Sequence, residues 1–407
     1  MTDGVDDYDA VIIGASFAGL AAASQLQGAG RVLLVDREPL GAGETSACGT
    51  PLAVLERLDA LDALEQVHPE VAINAAGRRI TFRPGYPLAT FDYRTLCEIL
   101  AGRLEGVETA VGTFGGVEAD GALLLGDRRV RGRVLIDASG WRALLAREYG
   151  APPPDPARRS IGAELRHGHG GCDLEFWVRP DERPDGVFWA FPAGGHTREG
   201  VASYLGRGNR LRSDLARFVD EEALAPRTVH GGVFPSRLRD PVAGPVFVAG
   251  DAAGQCLPRS GEGIRPALVW GQEAGHQAAR VLRGEVSLEA ALTAYRDQVL
   301  ARRRQYRTLE RLQAGLLRTP RQLLPAAVEL FALGSLARAA QTSYWQVANP
   351  EVLEIAPGVR TTRRATAAQC AVGPAADTAT RTIGEAAAPH TQLRRSVGQP
   401  QSTGVMT

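Results

Sequence analysis

Two stretches far apart in this chain carry residues whose types and spacing suit the handling of a phosphate-bearing group. The first, Tyr8–Gly19, reads YDAVIIGASFAG. Gly14, Ser16 and Gly19 occupy the three positions of the dinucleotide fingerprint G-x-G-x-x-G. Gly14 allows the tight turn, Gly19 lets a helix pack close to the strand, and Ser16 stands where the backbone should approach a pyrophosphate. Asp36 follows at the end of the next apolar run, where a ribose-binding carboxylate belongs. The second stretch, Val246–Leu268, reads VFVAGDAAGQCLPRSGEGIRPAL. Its apolar run stops at Gly250-Asp251, small residues and Pro258 follow, and GEGI opens a helical run. A carboxylate at the carboxyl end of a strand can accept a hydroxyl hydrogen bond. Bare amides at a helix start can face a phosphate or an electron-rich ring.

The elements that position these residues follow from periodicity. Ala10–Ile13 is a short apolar run of the kind found in buried parallel strands. Leu20–Leu26 continues as an Ala-rich helix that Gly28 and Gly30 end, and Arg31–Val35 is the next strand. Leu52, Leu55, Leu58, Leu61 and Leu64 recur every third residue and predict a helix over Leu52–Val67. Val71–Phe91 alternates, with Gly and Pro-Gly turns, and reads as strands of a separate sheet. Asp92–Leu104 returns to helix, and Val134–Ala138 is another buried strand. The proline run within Ala151–Arg158 marks a crossing between domains. Ile161 to Pro235 is strand-like, with a helix near Arg212–Val219, and Ser287–Ala340 is helical. Beyond Pro357 the chain lacks period and reads as a disordered tail.

The expected fold class is α/β, with a doubly wound, Rossmann-like nucleotide-binding domain, a second β-rich domain and C-terminal helices. Residues 1–68, 92–150 and 241–285 form the discontinuous first domain, and 69–91 and 151–240 form the β-rich one. The helices occupy 286–350 and the tail 357–407.

The chain has 407 residues, enough for two domains with sizeable cores. Its 46 basic residues, all arginine, balance 46 acidic ones, which excludes nucleic acid as the expected partner. The five cysteines, Cys48, Cys97, Cys172, Cys256 and Cys370, are scattered and odd in number, which fits reduced thiols better than a disulfide frame. No C-x-x-C pair or histidine cluster points to a metal. The amino terminus is acidic and lacks the features of a signal peptide, and no apolar run is long enough to span a bilayer. A cytoplasmic protein is the reading. The arginines between Arg302 and Arg321, set around Leu309, Leu312 and Leu316, admit peripheral contact with an anionic membrane, against the plainer reading of a solvated helix face.

GASFAG with Asp36, followed late in the chain by GDAAG and GEGI, resembles the flavoproteins of the para-hydroxybenzoate hydroxylase fold. Within that group the chain is most similar to the geranylgeranyl reductase family. Gly186–Pro192 (GVFWAFP) resembles that family's Y-x-W-x-F-P segment, Ser46–Gly49 (SACG) its Cys-Gly loop, and Pro258–Ile264 (PRSGEGI) its P-x-T/S-G-E-G-I. The resemblance covers roughly residues 8 to 285. It departs from related hydroxylases at Ala138–Ala143. There Ser139 replaces an Asp and Ala143 a Ser, which weakens the case for a standard NADPH-dependent hydroxylase and leaves the electron donor open, with NAD(P)H one candidate.

The resemblance implies FAD as cofactor. The amides from Gly14 through Ser16, Phe17 and Ala18 to Gly19 would face it, with Asp36 and the adjoining Arg37 at the adenosine ribose. Arg94 would lie near the pyrophosphate, against the plainer reading of an exposed helix arginine, and Gly250 and Asp251 at the ribityl chain or pyrophosphate. Pro258, Gly261, Gly263 and Ile264 would meet the flavin's pyrimidine edge, where the helix dipole stabilises negative charge on the reduced ring. Cys48 and Gly49 would lie beside the ring, with Cys48 as the catalytic candidate; a lone cysteine is more often a small buried apolar group. Alternation on a strand sets Phe188 on one face and Trp189 with Phe191 on the other, so one set is core and the other lines an apolar substrate tunnel. The implied reaction is hydride transfer to an alkene of an isoprenoid or similar apolar small molecule. The alternatives are a monooxygenase or halogenase-like enzyme acting on an aromatic or polyketide substrate, and a non-redox flavin-dependent cyclase. The oligomeric state is open.

Overall fold

The computed structural model describes residues 4–43, 47–156, 159–168, 170–219, 229–235, 237–332, 341–342 and 344–354. The expected tail at 357–407, residues 333–340 of the expected C-terminal helices and Ser46 of the SACG loop lie outside the described residues.

Along the chain, strand β1 (Asp6–Ile13) turns at Gly14 into helix α1 (Phe17–Gln25) and returns as β2 (Val32–Asp36). Then come β3 (Gly49–Pro51), α2 (Leu52–Arg57), β4 (Leu64–His68), β5 (Val71–Ala75), β6 (Arg78–Phe82), β7 (Leu88–Phe91) and α3 (Tyr93–Ala101). Strands β8 (Val107–Val111), β9 (Phe114–Val117), β10 (Leu123–Leu125) and β11 (Arg128–Asp137) lead to α4 (Leu144–Glu148). Next are β12 (Arg159–His167), β13 (Leu174–Val178), β14 (Gly186–Ala193), β15 (His196–Ser203), α5 (Leu211–Phe218) and β16 (His230–Pro235). The chain continues through β17 (Val242–Ala243), β18 (Val246–Val248), α6 (Ile264–Leu282), α7 (Leu288–Leu300), α8 (Arg303–Arg318) and α9 (Leu324–Ala332).

Among the described residues the strands form three sheets. The first runs β17-β18-β11-β1-β2-β8, with β10 and β9 attached beside β11. Its central pairs, β18–β11, β11–β1, β1–β2 and β2–β8, are all parallel. Both faces are covered, which is why its strands read as continuous apolar runs. Ala10 and Ile12 enter a core shared with α1, α3, α6 and α7. Val11 and Ile13 point the other way, toward α4 and β10. This is the doubly wound α/β layer that the amino-terminal pattern predicts.

Close approach of α1 and α6 ties the two distant motifs together. A Cβ on Gly271 would fall 2.2 Å from the Ala18 carbonyl oxygen, and one on Gly275 would fall 2.3 Å from that of Ala22. Two glycines one turn apart on α6 therefore let it lie directly on the backbone of α1.

The second sheet runs β16-β12-β15-β14-β13-β5-β6 and carries α5 on one face. The third is small, β3-β7-β4. The expected helix over Leu52–Val67 is corrected here. Its helix ends at Arg57, Asp59 takes a φ of 48°, and residues 64–68 form β4. The three-residue leucine spacing fits neither a helix nor a strand fully. Burial of Leu55 and Leu58 dictates the short helix, and burial of Gln66 and His68 dictates the strand. These two polar side chains face the second sheet. Gln66 donates to the Gly171 carbonyl (3.0 Å) and accepts the Gly194 amide (3.1 Å). His68 Nε2 lies 3.0 Å from the Pro192 carbonyl. Of the alternating stretch Val71–Phe91, β5 and β6 join the second sheet, whereas β7 pairs with β3 and β4.

Among the described residues no helix is long and apolar enough to cross a membrane, and no cluster of His, Cys, Asp or Glu could hold a metal ion.

Candidate functional site

A cavity of about 950 Å³ runs between the first sheet, the second sheet and helices α8 and α9. At one end its wall is the Gly14–Ala18 loop, Asp36, Arg37 and the Ser139–Arg142 loop. Gly250, Asp251 and Pro258–Ile264 line its middle. Beyond them the wall turns apolar, with Phe176, Val178, Trp189, Phe191, Leu309, Leu312 and Leu316.

The first end is built by strain that only glycine accepts. Gly14 has a φ of 106°, and a Cβ there would sit 2.1 Å from the Ala138 carbonyl oxygen. Gly19 does not line the cavity. A Cβ on it would meet the Gly14 carbonyl oxygen at 1.8 Å, so its part is to close the turn. The amides of Ser16, Phe17 and Ala18 have no acceptor among the described residues, as the first turn of a helix requires. The Ser16 hydroxyl pairs with the Tyr93 hydroxyl at 2.9 Å. Asp36 accepts the Ala15 amide at 2.7 Å and the Glu38 amide at 3.2 Å, which fixes its carboxylate at the tip of β2.

Arg94 is exposed and is not among the residues lining the cavity, which favours the plainer reading of a helix arginine. Asp92 caps α3 by accepting the Thr95 amide (2.7 Å), and that start turns Tyr93 inward and Arg94, one residue on, outward.

In the middle, β18 delivers Gly250 and Asp251, and α6 begins at Ile264 after the turn at Gly261 (φ 69°). The Asp251 carboxylate opens onto the cavity, remote from bulk water, and has no hydrogen-bond or ion-pair partner among the described residues. Burial pushes its pKa up to about 7. An unpartnered carboxylate facing the cavity, free helix-start amides on both sides and the crowded glycine at position 14 fit a long polyhydroxylated dinucleotide such as FAD. Asp251 would hold a hydroxyl of it, and Ser16–Ala18 and Gly263–Ile264 would supply amides.

Cys48 does not reach the cavity. Ala47 and Gly49 line it, but Cys48 sits between them with a φ of 52°, fully buried in the main core cluster. The reversal of backbone direction at a left-handed residue sends its side chain into the protein. The bland reading of this thiol is the one the structure supports. Gly49 lies against Phe191, whose ring would be 2.9 Å from a Cβ placed there.

Phe188 is also corrected. It is fully buried and packs on Phe218 of α5 at 5.0 Å, on the far face of the second sheet. Trp189 and Phe191, on the opposite face of β14, line the cavity. Strand alternation divides the three, and α5 decides which face is core.

Several residues in or behind the wall were not legible in sequence. Asp137 is fully buried at the end of β11, accepts the Ser139 amide (2.9 Å) and the Ala146 amide (2.7 Å), and so holds the Ser139–Arg142 loop and α4 together. Its pKa is raised by burial, against which these bonds act. Glu262 of the GEGI run does not aim at a ligand alone. It forms a two-pronged ion pair with buried Arg265 (2.8 Å each). Arg265 in turn donates to the Trp345 carbonyl at 3.0 Å and to the Ala348 carbonyl, strapping residues 344–348 over α6. Glu164 enters the wall from β12, paired with Trp189 and His230. No sequence signal marks the Glu164 pairings, because they depend on cross-strand register.

No family model matches the chain. It is 31% identical over 178 residues to digeranylgeranylglycerophospholipid reductase of Methanoculleus marisnigri, covering 40% of this chain and 44% of the relative. A reductase of the same name from Methanocaldococcus jannaschii is 25% identical over 320 residues, covering 68% of this chain and 78% of the relative. In the matches at 30% identity or more, the chain spans about half the length of the curated relatives. Among solved structures, a geranylgeranyl bacteriochlorophyll reductase-like protein of Thermoplasma acidophilum superposes with a TM-score of 0.75 at 18% identity, covering 86% of this chain and 98% of that one. The flavin-dependent brominase Bmp2 superposes with a TM-score of 0.66 at 17% identity, covering 86% and 96%. The chain is thus similar, over part of their length, to reductases of digeranylgeranyl glycerophospholipids, and it shares its fold with a geranylgeranyl reductase-like protein and a flavin-dependent brominase.

Proposed function

We propose that the protein is an FAD-dependent reductase that saturates an alkene of an isoprenoid or similar apolar chain. The observation that carries this reading is the continuity of the cavity, which joins the glycine-rich, carboxylate-bearing end to the apolar wall of the second sheet and α8. The relatives named for a digeranylgeranyl lipid support an apolar, unsaturated substrate. Bound FAD would supply a hydride when reduced. The chain's own residues do the rest. Gly14–Ala18 and Asp36 anchor the adenosine half, and Asp251 fixes the polyol. The start of α6 favours negative charge beside it. Trp189, Phe191, Phe176 and Leu312 hold an apolar chain in place and exclude water, so that the reacting carbons are kept in attack geometry. Arg303, Arg304, Arg307 and Arg311 lie exposed on the outer side of α8, whose inner side lines the cavity. That arrangement supports loading of a lipid from an anionic membrane surface.

The test is anaerobic. Purified full-length protein with added FAD, reduced by dithionite, is mixed with geranylgeraniol, and the product is weighed by mass spectrometry. A gain of hydrogen across a double bond, with return of the oxidised flavin spectrum, is the expected result, and NADPH and NADH are then tried as donors. Oxygen uptake coupled to NAD(P)H oxidation with no alkene reduction would favour a monooxygenase instead. An isomer of unchanged mass would favour a non-redox cyclase.

A further inference from the structure

Of the residues that the seven strands of the second sheet contribute to the cavity wall, Glu164 alone carries a charge among those described. It is 3% exposed, and the other cavity-lining side chains on its face of the neighbouring strands, Val187, Trp189, Phe191 and Ala202, are uncharged. Both of its oxygens are engaged. The Trp189 indole Nε1 donates to Oε2 at 2.7 Å, and His230 Nε2 lies 3.1 Å from Oε1. The pairing is built by the sheet. His230 stands directly opposite Glu164 on the edge strand β16. Trp189 comes from β14 and reaches across β15 because position 200 is glycine, where a Cβ would collide with its ring at 2.0 Å. His230 is the outer member, with 24% of its side chain exposed, so the trio leads from solvent to the cavity.

A buried carboxylate in an apolar wall costs stability and is retained where something uses it. We propose that Glu164 donates the proton that completes the alkene reduction and is reprotonated from solvent through His230. The inference rests on the reductase reading above. In the balanced step the alkene π bond breaks. One carbon takes the hydride, with two electrons, that the reduced cofactor supplies, and its neighbour takes the Glu164 proton with the π electron pair. Glu164 is left as carboxylate, the His230 imidazolium returns a proton to it, and water reprotonates His230. Trp189 is a positioning residue that holds the second oxygen. Each carboxyl oxygen keeps another lone-pair position for the cavity side.

The test uses full-length E164Q, E164A and H230Q. In flavin-free protein the ¹⁵N–¹H resonance of the Trp189 indole is expected to stay in place in E164Q, whose amide oxygen still accepts, and to shift in E164A. An unmoved resonance in E164A overturns the pairing. With FAD bound and dithionite-reduced, E164Q is expected to be reoxidised by geranylgeraniol at least 100-fold more slowly than wild type, the usual scale of a lost general acid. Its affinity for the probe in the oxidised state should stay within twofold, and H230Q should show a smaller loss of rate. E164Q reacting at the wild-type rate, or losing only affinity, overturns the donor role and leaves the reductase reading intact. A wild-type protein that the alkene never reoxidises overturns both.

Discussion

Asp251 shows how one side chain facing the cavity couples folding to ligand binding. Its carboxyl is raised to about 7 by burial, so the folded, ligand-free protein holds a proton that the unfolded chain releases near its ordinary value of 3.8. The stability present below about pH 4 is therefore lost as pH rises through 7. Asp251→Asn removes that penalty. At pH 8 the ligand-free variant is expected to melt about 2–4 °C above wild type, and the gap should close at pH 4. A hydroxyl donated to the ionised carboxylate is what the site lacks, so the same substitution should weaken FAD binding by at least about tenfold, the worth of one charge-assisted hydrogen bond. Calorimetric titration at pH 8 checks this, and equal affinity in the variant would remove Asp251 from the binding site.

Two packed elements make their own predictions. The contact of α1 with α6 has no room for side chains at Gly271 and Gly275. Gly271→Val should cost at least about 1–3 kcal/mol, read as a lower urea midpoint, and should reduce flavin content because it moves the two cofactor motifs apart. At β4, buried His68 holds the third sheet to the second through the Pro192 carbonyl, and burial lowers its pKa. A depressed histidine contributes stability above its ordinary value of 6.5 that is lost as pH falls below it. The acid limb of the stability curve should therefore flatten in His68→Gln. If the two proteins lose stability in parallel between pH 7 and 5, His68 is not the titrating group.

At the scale of the molecule, the cavity joins the sheets and the C-terminal helices, so filling it should stabilise all of them together. Saturating FAD at about 100 times its Kd is expected to stabilise the fold by about 2.7 kcal/mol, seen as a single shifted melting transition. The exposed arginines of α8 add a second expectation: flotation with phosphatidylglycerol vesicles but not with neutral ones, abolished when Arg303, Arg304, Arg307 and Arg311 are changed together to Gln. Equal flotation of the changed protein would leave α8 as a plain solvated helix.

Local pattern alone was enough to determine the doubly wound layer, the glycine turn at Gly14, the helix after the alternating stretch at 71–91 and the late strand that stops before Gly250-Asp251. These rest on short-range chemistry: buried runs between covered faces, apolar periodicity and positive φ at glycine. Tertiary structure decided the rest. Burial against the second sheet turned residues 64–68 from helix into strand. Helix α5 chose which aromatic face of β14 became core. A left-handed backbone carried Cys48 away from the cavity, and cross-strand register brought Glu164, Trp189 and His230 together. Each of these depends on which partner covers a face, and residues many strands apart in sequence settle that only once the sheets have closed on one another.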